Sequence, residues 1–195
     1  MKQILFIFLF SHSLIFAQGW ERYYMMDTVN FIIGSINSGA QTQQTSDGGY
    51  ISCATILGIN TNYFNTDIAL IKTDSQGDTI WQKRFNNYLN SQESALDVQQ
   101  TSDGGYVIVG SSTSYGAGGA DLWILKVDVE GEFMWSKTYG GQGNDIGKDI
   151  IQTSDGGYII TGYTKSYSSG GDSDLWLIKT NANGESCLYS DGGTC

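Results

Sequence analysis

The residue types in this chain exclude most enzymes that depend on an imidazole. Its one histidine, His12, lies in an N-terminal apolar segment that we predict to be removed on export. Without histidine, the mature chain cannot build a Ser-His-Asp or Cys-His nucleophile, and imidazole metal sites are excluded. The sequence therefore predicts no catalytic residue, no metal site and no cofactor.

Carboxylates acting alone could still cleave a glycosidic bond, because that reaction needs only two Asp or Glu side chains. The candidate pair is Glu93 and Asp145, but these two residues align with each other between repeats. A catalytic residue is usually singular, whereas a residue that recurs in every repeat is usually architectural. A carbohydrate-active enzyme is therefore the alternative to a non-catalytic binding or interaction module.

The chain has three cysteines, and none of them suggests a metal clip. Cys187 and Cys195 lie close together in the C-terminal tail, and export would permit a disulfide between them. With two sulfurs and no histidine the tail lacks the ligands for zinc. Cys53 lies in an apolar run, which predicts a buried free thiol.

Loops that differ between repeats are where binding is expected. They are rich in Tyr, Asn, Ser and Gly, a composition typical of adaptable binding loops. Aromatic rings beside amide groups would suit a sugar. The predicted ligand-binding residues are Tyr63, Asn65, Tyr115 and Tyr167. The alternative is that these loops only cross the rim of the fold.

The elements that position these residues form an internal repeat with a period of roughly 50 residues. The run Gln-Thr-Ser-Asp-Gly-Gly-Tyr occurs at 44–50, 100–106 and 152–158. Each copy resolves into four short strands, and in the clearest copy these are about 97–101, 106–111, 121–127 and 132–139. Asp-Gly and Gly-containing turns join the strands. No segment of the mature chain has a helical apolar period, so the sequence predicts an all-β protein.

Charged residues recur at fixed places in the repeat. The turn aspartates are predicted to be structural; they are Asp47, Asp103 and Asp155. A second set starts the third strand, where a carboxylate can accept backbone N–H groups; its members are Asp67, Asp121 and Asp174. Lysines close the same strand, and we expect solvated ammonium groups; they are Lys72, Lys126 and Lys179.

The third strand of each repeat indicates how the sheets pack. In residues 122–125 and 175–178 both faces of the strand are apolar, Trp123 and Trp176 included. A sheet with one wet face would alternate polar and apolar residues, so these sheets must be covered on both sides. Stacked four-stranded β-propeller blades satisfy that requirement.

The predicted blade count is about three, below the usual 4–8. The chain would then be an open arc, a small ring, half of a six-bladed ring shared by two chains, or a fragment of a larger propeller. The predicted boundaries are a signal peptide at 1–17, a repeat domain at 18–186 and a cysteine-containing tail at 187–195. Within the repeat domain, the repeats are predicted at about 40–85, 96–139 and 148–180, and a strand at 20–24 is predicted to complete the last blade.

These motifs resemble the repeats of exported bacterial β-propeller proteins, loosely grouped as delta-60 or SBBP-like repeats. The resemblance covers about residues 20–185 and implies a fold and an exported, cell-surface setting, but no general activity. Residues 74–81 also resemble the turn of quinoprotein-type propeller repeats. That second resemblance implies that Trp81 and Trp135 dock one blade against the next, without quinone chemistry.

Charge and targeting signals restrict the location and the partners. Lys2 followed by an apolar run too short to span a membrane is typical of a signal peptide. We therefore predict a protein that is secreted, either extracellular or periplasmic, with no membrane insertion. The net charge of −10 at pH 7 repels phosphate backbones, which argues against nucleic-acid binding. The expected partners are a glycan or a cell-envelope protein, or a second copy that completes a ring.

Overall fold

The computed structural model describes residues 41–60, 63–85, 92–168 and 170–186. The predicted signal peptide, the predicted strand at 20–24 and the cysteines Cys187 and Cys195 lie outside the described residues. Within the described part there is no helix, and hence no helical segment long and apolar enough to cross a membrane. The all-β prediction is confirmed.

Eleven strands form three antiparallel sheets, which we call the first, second and third blades. The first blade contains β1 (Gln41–Gln44), β2 (Tyr50–Asn60), β3 (Tyr63–Thr73) and β4 (Thr79–Phe85). The second contains β5 (Glu93–Gln100), β6 (Tyr106–Ser112), β7 (Asp121–Val127) and β8 (Phe133–Tyr139). The third contains β9 (Asp145–Gln152), β10 (Tyr158–Thr164) and β11 (Asp174–Thr180), in the order β11-β10-β9.

The blades stack in chain order, face on face, and the described strands do not close into a ring. One apolar cluster joins the first and second blades and includes Ile68, Leu70 and Trp123. A second cluster joins the second and third blades and includes Leu122, Ile124 and Ile160. All seven residues of β7 are buried, because its two faces serve different junctions. The two-sided apolar pattern therefore predicted the packing of this strand correctly.

The third blade differs from the second on its outer face. Leu175 and Leu177 are 87% and 64% exposed, whereas Leu122 and Ile124, at the aligned positions of β7, are 0% exposed. No described strand covers this face. The prediction that every sheet is covered on both sides is thus confirmed for the second blade and not for the described part of the third.

The recurring turn is held by the aspartate that the sequence pattern marked as structural. Asp103 Oδ1 accepts hydrogen bonds from Thr101 Oγ1 (2.5 Å) and the Gly105 amide (3.0 Å). The Lys126 ammonium donates to Asp103 and to the Val127 carbonyl. The same contacts occur around Asp47 and Asp155. These aspartates therefore tie two strands of one blade together.

The expectation of solvated lysine heads is wrong for two of the three lysines. The side chains of Lys72 and Lys126 are 4% and 3% exposed, while that of Lys179 is 30% exposed. The turn aspartate supplies the counter-charge that allows the ammonium group to be buried. The sequence pattern identified the lysine and the turn aspartate as recurring residues, but it did not predict that they form an ion pair.

Tryptophans on the outer strands connect one blade to the next, as predicted. Trp81 of β4 packs edge-on against Tyr106 and donates from Nε1 to the Val129 carbonyl at 3.1 Å. Trp135 of β8 packs in the same way against Tyr158. Each ring also lies over a glycine of a following turn, Gly131 or Gly184. A larger residue at those glycines would collide with the indole.

Candidate functional site

The four predicted ligand-binding residues do not form one site. Tyr115 stacks on Trp123, with ring centroids 5.9 Å apart, at the junction of the first two blades. Tyr167 lies 5.6 Å from Trp176 at the next junction. Asn65 lies in β3 and is 7% exposed. The side chain of Tyr63 lies outside the described part of the chain. Tyr115 and Tyr167 are thus equivalent residues of two separate sites.

Each of these tyrosines lines a cleft between blades. The first cleft has a volume of about 230 Å³, and its lining includes Arg84, Phe85, Tyr115, Trp123 and Ser136. The second cleft has a volume of about 510 Å³, and its lining includes Thr138, Tyr139, Tyr167, Trp176 and Lys179. Ser136 belongs to β8, which flanks β7 in the second blade. Among the described residues no strand flanks β11 in that way, so the second cleft is wider. The strand predicted at 20–24, which lies outside the described residues, would flank this side of β11.

The wall of the second cleft is built by hydrogen bonds between the blades. Tyr139 Oη donates to the Gly184 carbonyl, and Tyr167 Oη donates to the Gly140 carbonyl at 3.0 Å. Burial, with the negative charge of Glu185, raises the pKa of Tyr139 to about 12, so this phenol stays protonated at neutral pH. Tyr167 is 65% exposed, so its ring is available to a ligand.

Glu93 and Asp145, the candidate catalytic pair of the sequence analysis, lie at different junctions between blades. Glu93 and Asp145 are the first residues of β5 and β9, at equivalent positions of successive blades, and both are 0% exposed. The structure instead brings Glu93 close to Asp67, and Asp145 close to Asp121. Two carboxylates that no solvent reaches are poorly placed to contact a polysaccharide. No Asp or Glu is found among the described residues that line the second cleft.

The two carboxyl groups of the Asp121–Asp145 junction differ in acidity. Burial, together with the charge of Asp145, raises the pKa of Asp121 despite a hydrogen bond from the Ala117 amide. Burial also acts on Asp145, but hydrogen bonds from Ser166, Thr164 and Gly141 outweigh it and lower its pKa. Asp145 is therefore the more strongly ionised member of the pair.

Sequence reasoning missed the second cleft as a site. Its tryptophan was identified as a packing residue, and Tyr167 was chosen because of its loop composition. Alignment of Tyr115 with Tyr167, and of Trp123 with Trp176, would have shown that the aromatic pair recurs. Among the residues that the structure describes, no group of three or more His, Cys, Asp or Glu side chains could hold a metal ion.

Comparison with known proteins adds no relative. No model of a protein family matches this chain, and no curated protein matches its sequence.

Proposed function

We propose that the protein is an exported, non-catalytic binding module and that its second cleft binds a neutral glycan. The observation that carries this proposal is the aromatic pair of exposed Tyr167 and partly buried Trp176 in a cleft of about 510 Å³. Aromatic rings stack on the apolar faces of sugars, while polar groups at their edges accept and donate hydrogen bonds. Thr138 supplies such a group in the lining of the same cleft.

The net charge of the chain restricts the glycan class. At −10 overall, the protein repels uronic acids and sulfated sugars over distances up to about the Debye length, roughly 8 Å at physiological salt. Neutral oligosaccharides carry no such penalty. A cell-envelope protein is the other ligand class that the exported setting favours.

We also propose that the chain is exported and that it belongs to the delta-60 or SBBP-like repeat group. Export is supported by the N-terminal apolar run that follows Lys2. The repeat group is supported by the recurring Gln-Thr-Ser-Asp-Gly-Gly-Tyr turn. A location outside the cytoplasm would place the cleft where polysaccharides and envelope proteins are accessible.

The proposal is tested with a panel of neutral oligosaccharides and isothermal titration calorimetry. For any sugar that binds, Tyr167→Ala and Trp176→Ala should weaken affinity by about tenfold or more, which corresponds to about 1.4 kcal/mol. Tyr115→Ala is the matched control, because Tyr115 has the equivalent position in the first cleft. It should leave affinity unchanged.

Two outcomes would contradict glycan binding in the second cleft. One is equal weakening by the Tyr115 and Tyr167 variants, which would point to a general loss of folding. The other is that no glycan of the panel binds, while an envelope protein is captured and Trp176→Ala abolishes that capture. Release of reducing sugar during the titrations would instead favour the enzyme alternative.

A further inference from the structure

The junctions between blades contain a repeated pair of buried acids. At the first junction Asp67, in β3, lies close to Glu93, the first residue of β5. At the second junction Asp121, the first residue of β7, lies close to Asp145, the first residue of β9. All four side chains are buried, with exposures of 0% or 1%. Two adjacent buried carboxylates repel each other strongly unless a positive charge or a proton is present.

The first junction contains its own cation. The Arg84 guanidinium donates from Nε to Asp67 Oδ2 at 2.6 Å and also from Nη2 to the same oxygen. Arg84 is in β4, three residues after Trp81. The aligned residue three positions after Trp135 is Thr138, which is neutral. Within the described residues, no Lys or Arg forms an ion pair with Asp121 or Asp145.

One oxygen from each acid of the second junction packs against the same side of Gly140. A Cβ atom placed on Gly140 would lie 1.9 Å from Asp121 Oδ1 and 2.7 Å from Asp145 Oδ2. The oxygens are therefore no farther apart than the sum of those distances. Calcium binds oxygen at 2.3–2.6 Å, so a single ion can bridge two oxygens separated by up to about 5 Å.

One of these oxygens has no partner. Asp121 Oδ1 is buried and makes no hydrogen bond, whereas Asp121 Oδ2 accepts from the Ala117 amide at 3.0 Å. A buried carboxylate oxygen without a donor is costly and rare. Asp67 Oδ1 is also without a hydrogen bond, but Arg84 compensates the charge of that group. At Asp121 nothing in the described part of the chain does so.

We propose that Asp121 and Asp145 bind a calcium ion, which takes the place that the Arg84 guanidinium has in the first junction. Calcium suits the site because only oxygen ligands are present. Backbone carbonyls of the glycine-rich loops and water would supply the remaining ligands. With two carboxylates, we expect an affinity in the range of extracellular calcium modules, about 10⁻⁴–10⁻³ M. The site does not depend on the glycan proposal.

The experiment compares thermal unfolding of the EDTA-treated protein with and without 10 mM CaCl₂. The wild-type Tm should rise by about 3–6 °C in calcium, because the ion binds only the folded chain. Asp121→Asn should abolish the rise. Asp172→Asn, which removes an exposed acid of the loop before β11, is the matched control and should retain it.

A second variant rebuilds the first junction in the second. Thr138→Arg should raise the Tm in EDTA, and calcium should then have no further effect. Terbium titration gives a direct readout, because Tyr167 donates to the Gly140 carbonyl beside the site and can sensitise the lanthanide. Terbium emission should saturate in wild type and be absent from Asp121→Asn. An unchanged wild-type Tm in calcium, with no terbium emission, would overturn the proposal and leave a proton shared by the two acids.

Discussion

At the scale of single residues, the recurring aspartate–lysine pair makes stability depend on pH. Lys126 is buried, and its ammonium group faces the Asp103 carboxylate. Although burial opposes it, hydrogen bonds from Thr101, Lys126 and Gly105 lower the pKa of Asp103. The pKa values of Asp47 and Asp155 are lowered further, chiefly by Lys72 and Lys179. Since the folded pKa lies below the unfolded one, this stability is present above about pH 4 and is lost as the pH falls through the folded pKa values.

Asp103→Asn tests this interaction. The amide keeps an acceptor for the turn but removes the charge that faces a buried ammonium group. We expect a loss of about 1–2 kcal/mol in the free energy of unfolding at pH 7, discounted because Asp103 is half exposed. Urea denaturation at pH 7 and pH 3 should show a smaller difference for the variant than for wild type. An identical pH dependence would show that the pair contributes nothing.

The sequence predicted only part of this residue-scale picture. Recurrence identified Asp103 as structural, and the structure agrees. The sequence pattern predicted that the Lys126 ammonium group lies in water at a strand end, because a lysine beside apolar residues usually extends its ammonium group to solvent. The partner is a turn on the neighbouring strand pair, and only the antiparallel register of β6 and β7 brings it within reach. Contacts set by register are invisible to a pattern along one strand.

At the scale of elements, the docking of each outer strand on the next blade depends on glycines under the tryptophan rings. Gly131 has a φ of 77°, and a Cβ there would lie 2.9 Å from Trp81 Cζ3. Gly48 has a similar φ of 83°, but a Cβ there would meet nothing within 4 Å. The two positions therefore share a left-handed backbone, which glycine adopts without strain, and differ in packing.

Comparison of Gly131→Ala with Gly48→Ala separates these two effects. Gly48→Ala should cost about 1 kcal/mol, which is the cost of a left-handed conformation for alanine. Gly131→Ala should cost a further 1–3 kcal/mol or so, because Trp81 must move. Urea denaturation provides the free energies, and tryptophan fluorescence shows the displaced ring. Equal losses for both variants would mean that the indole does not hold the blades together.

Strand positions were more predictable than strand lengths. The strands of the second blade match the sequence pattern to within a few residues because its turns contain Asp-Gly and Gly signals. In the first blade, Tyr63 and Asn65 are predicted to lie in a loop, yet β2 continues to Asn60 and β3 begins at Tyr63. Gly58 and the asparagines suggested a loop, but pairing with a neighbouring strand overrides weak local preference.

At the scale of the whole molecule, the sequence predicts that the blades stack, but it does not predict which blade is the last of the stack. A strand that is apolar on both faces requires two covering sheets wherever it occurs. The sequences of β7 and β11 are nearly the same, so both strands raise the same expectation. Which face lacks a neighbour depends on how many blades are present, and no single strand records that number.

The exposed face of the third blade predicts association between two copies. Leu175 and Leu177 occupy positions that are fully buried in the second blade, and because they lie side by side on one face they form an apolar patch of the kind that marks an interaction surface. Two three-bladed chains would give six blades, which lies within the usual range for closed propellers. We expect light scattering on the protein without its first 17 residues to report twice the mass of one chain. The double variant Leu175→Lys/Leu177→Lys should halve that mass, since it places two charges in the interface, whereas Ile80→Lys, at an exposed position of β4, should leave it unchanged. A single-chain mass for the unmodified protein would refute the shared ring.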